Sequence, residues 1–134
     1  MAKILTFKKR KDFLRVAAQF YVATHNMVLQ AAHSLSETDD ICVGYTSTKK
    51  IGNAVCRNKS RRRLRAVVRE VLKDYAYPHV DYVFIARQST ATCDFTELKK
   101  DTIYAIKKIN KNFLLEADSH TSHSDNPLNS DENA

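Results

Sequence analysis

The sequence predicts an α+β sandwich, a sheet covered by helices, and three observations carry that expectation. A helical periodicity runs from Leu64 to Tyr75, an unbroken apolar run of strand length spans Asp81 to Arg87, and strand-like and helical stretches succeed one another along 134 residues. With 43% hydrophobic and 28% charged side chains, that length can bury one core and hardly two.

Taken in order, the basic run Lys8 to Lys11 precedes Phe13, Val16, Ala17 and Phe20, whose helical spacing predicts a short amphipathic first helix. Met27 to Ala32 and Ile41 to Thr48 read as strands, and the polar turn Ser34 to Asp40 between them suggests an antiparallel hairpin. A short strand before that hairpin is compatible with the pattern. Within the second strand Ile41, Val43 and Tyr45 alternate with Cys42, Gly44 and Thr46. One face is therefore bulky, while the other is small enough for something to lie on it.

From Arg57 to Tyr75, Leu64, Val67, Val68, Val71, Leu72 and Tyr75 mark the buried stripe of a second helix, which Pro78 ends. The run Asp-Tyr-Val-Phe-Ile-Ala-Arg at 81–87 suits a central strand covered on both sides. Asp94, with Glu97 three residues on, signals a helix start, and Phe95, Leu98, Ile106, Ile109 and Phe113 give the last helix its apolar face, ending near Leu115. Residues 1–116 are thus expected to form one domain. Residues 117–134, rich in Ser, Asp, Asn and His with Leu128 the one large apolar side chain, read as a disordered acidic tail.

Charge narrows the function. Lys and Arg total 22 against 15 acids, and five acids and no base fall in 116–134, so residues 1–115 carry 22 minus 10, or +12. Such a body attracts polyanions. The longest apolar runs fall far short of the roughly 20 residues that cross a bilayer, and no signal peptide is recognised at the start, which predicts a cytoplasmic protein. Cys42, Cys56 and Cys93 are odd in number and far apart, as for reduced thiols and not a disulfide or zinc framework. With Gly44 and Gly52 the only glycines, neither a phosphate loop nor a dinucleotide fingerprint can be built.

The chemistry concentrates between Lys49 and Arg69. Lys49, Lys50, Arg57, Lys59, Arg61, Arg62, Arg63, Arg65 and Arg69 stand there without one acid. Arg61, Arg65 and Arg69 form a stripe beside the apolar face, with Asn58 and Arg62 on the same flank. Solvated helix faces usually interleave acids at i+4, whereas here the first acid is Glu70, and planar guanidinium forks suit phosphates. Lys49, Lys50 and Asn53 in the preceding loop extend the same surface. An ordinary turn would not need two lysines there.

The segment Ile51-Gly52-Asn53-Ala54-Val55-Cys56-Arg57-Asn58-Lys59, followed by Arg61-Arg62-Arg63-Leu64-Arg65, closely resembles the signature of the bacterial ribonuclease P protein component. The likeness extends to Lys11-Asp12-Phe13, Val43-Gly44 and Asp81 to Arg87, covering residues 5 to 115 in order. It departs at Lys59, where the family usually has Arg, and at Ala17, where a second aromatic often stands; Phe20 or Tyr21 would be the replacements. The turn after the first helix also lacks the family's frequent glycine.

The resemblance implies a four-stranded sheet with three helices, of the ribosomal protein S5 domain 2-like type, with a left-handed crossover where general rules favour the right-handed one. It implies that the arginine-rich helix and its loop dock on ribonuclease P RNA. It further implies that a cleft between the first helix and the sheet, with Phe13, Thr46 and Thr48, holds the single-stranded 5′ leader of precursor tRNA. Aromatic stacking and a small hydroxylic strand face suit that task, although Phe13 read alone is as well explained as a core aromatic.

Hydrolysis would then belong to the RNA subunit with Mg2+, one protein per RNA, with no cofactor or metal on the protein alone and no membrane partner. Asp39, Asp40, His25, His33 and His79 form no acid/base or metal-site spacing, so no catalytic residue is assigned. Two other classes compete. Another RNA-binding module such as a ribosomal protein would share the charge and element order, while a peripheral membrane protein would want exposed apolar residues opposite its bases.

Overall fold

The computed structural model describes residues 4–7, 9–35 and 40–122. It is an α+β structure with three helices and one five-stranded sheet, in the order β1 (Ile4–Thr6), α1 (Arg10–Ala17), β2 (Phe20–Ala23), β3 (Met27–His33), β4 (Ile41–Thr46), α2 (Ala54–Tyr75), β5 (Val80–Ala86), α3 (Phe95–Ser122). The sheet runs β1-β4-β5-β3-β2.

Five strands replace the expected four. The additional one, β1, has three residues, too few to display a period, and forms through its parallel pairing with β4. A second correction concerns the hairpin. β3 and β4 do not pair; β5 lies between them, antiparallel to β3 and parallel to β4. An apolar strand buried on both faces also needs a partner along each edge, and β5 takes the two strands that the chain alone would fold together. The hairpin that exists joins β2 to β3. It begins at Phe20, which the helical spacing had assigned to α1.

β4 and β5 are parallel with α2 connecting them. Alternation along the strands sorts the side chains into two layers. Met27, Leu29, Ala31, Ile41, Val43, Tyr82 and Phe84 meet Leu64, Val67, Val68, Val71 and Leu72 of α2 and Leu98, Ile106, Ile109 and Phe113 of α3 in the main core. On the opposite face, α1 seals a smaller cluster of Val16, Ala32 and Val83, against which Phe7, Phe13 and Ile85 pack.

Helix ends follow their local chemistry. The Asn53 side chain accepts the Cys56 N–H at 2.9 Å and caps α2, which therefore starts before the expected Arg57. Gly52 precedes it with φ of 142°, where a side chain would be strained and would meet Cys56 at 3.0 Å. α3 begins after Asp94 as expected, then continues to Ser122 instead of ending near Leu115. Residues 123–134, the remainder of the stretch read as a tail, lie outside the described residues, as does Asp39.

A buried polar chain ties the main core together. The Tyr82 hydroxyl donates to Asn110 Oδ1 at 2.6 Å and accepts the Tyr77 N–H at 2.9 Å, while Asn110 Nδ2 donates to the Tyr75 carbonyl at 2.7 Å. Burial holds the Tyr82 phenol well above the ordinary tyrosine range. Beneath α1, the nearly buried Asp81 accepts Arg15 at 2.7 Å and the Cys42 N–H at 3.3 Å. That pair fixes the helix to β4 and β5.

Candidate nucleic-acid interface

α2 uses its arginines in two ways. Leu64, Val67, Val68 and Val71 face the sheet, which leaves Arg61, Arg65 and Arg69 along one border, a turn apart. Arg61 donates to Ser47 Oγ at 2.6 Å and also to Asn58 Oδ1. Arg65 lies over the Tyr45 ring, 5.4 Å from its centroid. These contacts aim the guanidinium groups of Arg61 and Arg65 without neutralising them, since none of the three partners is an acid.

Lys49 and Lys50 stand exposed in a 3-10 turn before α2, and Lys59 and Arg62 are exposed on the helix itself. No acid occupies the first turn of α2. The positive end of its dipole therefore adds to these bases. Arg57 is half-buried.

Arg63 stands apart from the other bases. Its guanidinium donates to the Thr90 and Cys93 carbonyls at 2.6 Å each and lies 5.9 Å from the Phe95 ring. It latches α2 to the start of α3, so its charge serves packing within the protein. Asn53 likewise spends its side-chain oxygen on the cap. Sequence spacing placed both in the basic segment but could not reveal these internal partners.

On the other side of the sheet, a cleft of about 470 Å3 is lined by Arg10, Phe13, Leu14, Ala17, Gln30, Tyr45, Thr46 and Val83. Phe13 is half-buried, edge-on to Phe7 at 5.7 Å. Its ring sits so close above Gly44 that a Cβ there would fall 2.4 Å from Phe13 Cε1. The glycine thus lets the ring settle at the base of the cleft, where it is both a packing residue and a lining residue. Thr46 lines the cleft, but Thr48 does not; it is exposed and precedes the 3-10 turn, because β4 ends at Thr46.

The two suggested replacements for the missing aromatic at Ala17 behave differently. Phe20 points into the main core, 5.0 Å from Phe113. Tyr21 is 69% exposed and pairs in register with Gln30, which puts its ring beside the cleft on the same face. Arg10, Leu14, Gln30, Tyr45 and Val83 were not among the expected cleft residues. Period-two alternation marks Gln30 with Ala32 and Val83 with Asp81 as α1-facing, the signal that could have found them.

Among the described residues, no three His, Cys, Asp or Glu side chains stand close enough together to hold a metal ion. No helix there is long and apolar enough to cross a membrane. Cys42, Cys56 and Cys93 are free thiols.

The Ribonuclease P family profile matches residues 1–110. A ribonuclease P protein component of Paramagnetospirillum magneticum is 41% identical over 112 residues, spanning 81% of this chain and 84% of that protein. The Staphylococcus aureus RNase P protein structure aligns with a TM-score of 0.63 and 29% identity, over 76% of this chain and 92% of that one. The Thermotoga maritima RNase P protein, 23% identical over 78% of this chain and 96% of its own, has the same fold at a TM-score of 0.66. With the family profile spanning residues 1–110 and a relative 41% identical across 81% of its length, the chain belongs to the ribonuclease P protein family.

Proposed function

We propose that this chain is the protein subunit of ribonuclease P in the cytoplasm, with two RNA surfaces on opposite faces of one sheet. Family membership carries the role in tRNA 5′ processing and the ribonuclease P RNA partner. In this reading, Lys49, Lys50, Lys59, Arg61, Arg62, Arg65 and Arg69 hold the RNA subunit, one protein to one RNA. The cleft around Phe13 and Thr46 holds the 5′ leader of precursor tRNA. The observation that carries it is the acid-free stripe Arg61, Arg65 and Arg69, separated by the sheet from a cleft with an aromatic floor.

The protein's part is electrostatic and positional. Guanidinium groups on phosphates screen repulsion between two RNAs and release counterions, and an aromatic ring accepts an unstacked base of any identity. Endonucleolytic hydrolysis with Mg2+ is assigned to the RNA subunit.

The test is reconstitution with a bacterial ribonuclease P RNA at low magnesium, scoring removal of the leader from a precursor tRNA. Stimulation by the wild-type protein and its loss in Arg61→Ala with Arg65→Ala are expected. Absence of stimulation would sink the assignment.

A further inference from the structure

We propose that the cleft between β1, β4 and the second half of α2 is a pocket for one unstacked nucleotide of the RNA strand that the arginine stripe follows. The inference rests on the reading of α2 as an RNA-binding helix and adds a binding site on the α2 side of the sheet.

The pocket measures about 350 Å3 and is lined by Ile4 and Thr6 of β1, Val43 and Tyr45 of β4, and Arg65, Val68, Arg69 and Lys73 of α2. Its apolar floor is the accessible surface of Ile4, 39% exposed, and of the half-buried Tyr45, whereas Val43 and Val68, each 1% exposed, offer almost none. Its rim is cationic. Arg65, Arg69 and Lys73 succeed one another at one-turn intervals, and among the described residues no carboxylate lines the pocket. Two acids neighbour these bases on the helix: Glu70 is engaged by Lys99 at 3.0 Å on the side of α3, and Asp74, beside Lys73, is not among the residues that line the pocket.

A ligand that uses both features needs an anionic group and a flat apolar one. An inorganic phosphate would meet the rim and leave the floor in water. A nucleotide of single-stranded RNA places its phosphate on Arg69 and Lys73 and its base or ribose against Ile4 and the Tyr45 ring. Arg65 already lies over that ring and belongs to the stripe, which makes the pocket continuous with the strand docked along α2. Tyr45 closes both this pocket and the α1 cleft, so the discriminating residues are Arg69 and Lys73.

The test measures affinity of the full chain for transcribed ribonuclease P RNA across a salt series, alone and with precursor tRNAs with and without a leader. Arg69→Gln with Lys73→Gln is expected to weaken RNA binding roughly tenfold and to flatten the log K against log salt slope by about 0.7 to 0.9, one phosphate contact, whatever the leader. Lys100→Gln with Lys111→Gln removes the same charge from exposed positions on α3 and is expected to change affinity less than about twofold, as for charge far from a phosphate contact.

Equal losses in the two pairs, no loss in the first, or a loss confined to leader-bearing precursor would each overturn the pocket. Lys73 also stands in the last turn of α2, where a cation favours the helix dipole. A lower melting temperature with an unchanged salt slope would reduce it to that role and overturn the proposal too. If Arg61→Ala with Arg65→Ala leaves RNA binding intact, the underlying reading of α2 fails; if that pair weakens binding and the Arg69 and Lys73 pair does not, the pocket fails together with the place of Arg69 in the stripe, while the docking role of Arg61 and Arg65 stands.

Discussion

The two faces of the sheet are closed to different degrees. Among the described residues, the face under α2 and α3 buries twenty apolar side chains in one cluster, whereas the face under α1 buries three and leaves Phe7, Phe13 and Ile85 partly open. Two long helices cover the first, and one helix of eight residues covers the second. Stability therefore resides on one side, and the thinly roofed side keeps a cleft. The same division decides what an aromatic ring does: Phe84 is wholly buried, while Phe13, on the other face, is both packed and accessible.

The largest effect expected is on the closed face. Phe84→Ala should cost about 3–5 kcal/mol in denaturant unfolding, the range for deleting a large buried aromatic, and Phe13→Ala less than half as much. Equal losses would erase the distinction between the faces. Next comes the latch on α2. Arg63→Ala should lower stability by about 1.5–3 kcal/mol through loss of its charge-assisted bonds to Thr90 and Cys93, while the salt slope of RNA binding stays at the wild-type value. Arg61→Ala should do the reverse, and identical behaviour of the two would show that α2 is not divided.

Gly44→Ala sharpens the account of the cleft, because the added methyl meets the Phe13 ring and not the backbone. A cost of about 1–3 kcal/mol, as for overpacking, is expected in a melt, together with weaker binding of leader-bearing precursor. Loss of stability alone would leave the ring with a packing role only.

The smallest effect is alkaline. Burial first, then Asp81 and Asp12, push the Cys42 thiol above its ordinary 9.0, and burial likewise raises Cys93. A folded-state pKa above the unfolded one means that the native chain holds its proton longer. This contribution is intact below pH 9 and is lost as pH rises from the unfolded value through the raised native ones. Chemical denaturation at pH 8 and 10 should show that decline, and Cys42→Ser should blunt it.

Much of this arrangement was legible in the sequence where a period or a motif is local. The α2 stripe, the apolar β5 run and the basic signature each lie within about twenty consecutive residues. What the sequence left open depends on long-range choices. Nothing in Met27–His33 or Ile41–Thr46 says that β5 comes between them, since an unpaired strand edge is satisfied equally well by either neighbour. Nor does an arginine's spelling disclose whether it meets solvent or two carbonyls about thirty residues away, which separates Arg63 from Arg62. Thr48 looked like a continuation of β4 until the chain turned at Ser47 toward the cap of α2.

The most direct test of two separate surfaces is the ratio of affinities for precursor and mature tRNA, measured on holoenzyme reconstituted with Phe13→Ala and with Arg61→Ala plus Arg65→Ala. Because stacking on an aromatic ring contributes about 1–3 kcal/mol per base, Phe13→Ala should lower that ratio about tenfold. The arginine pair should weaken assembly and leave the ratio unchanged once the complex is saturated. A ratio unmoved by Phe13→Ala, or moved equally by both, would contradict the division of labour between the two faces.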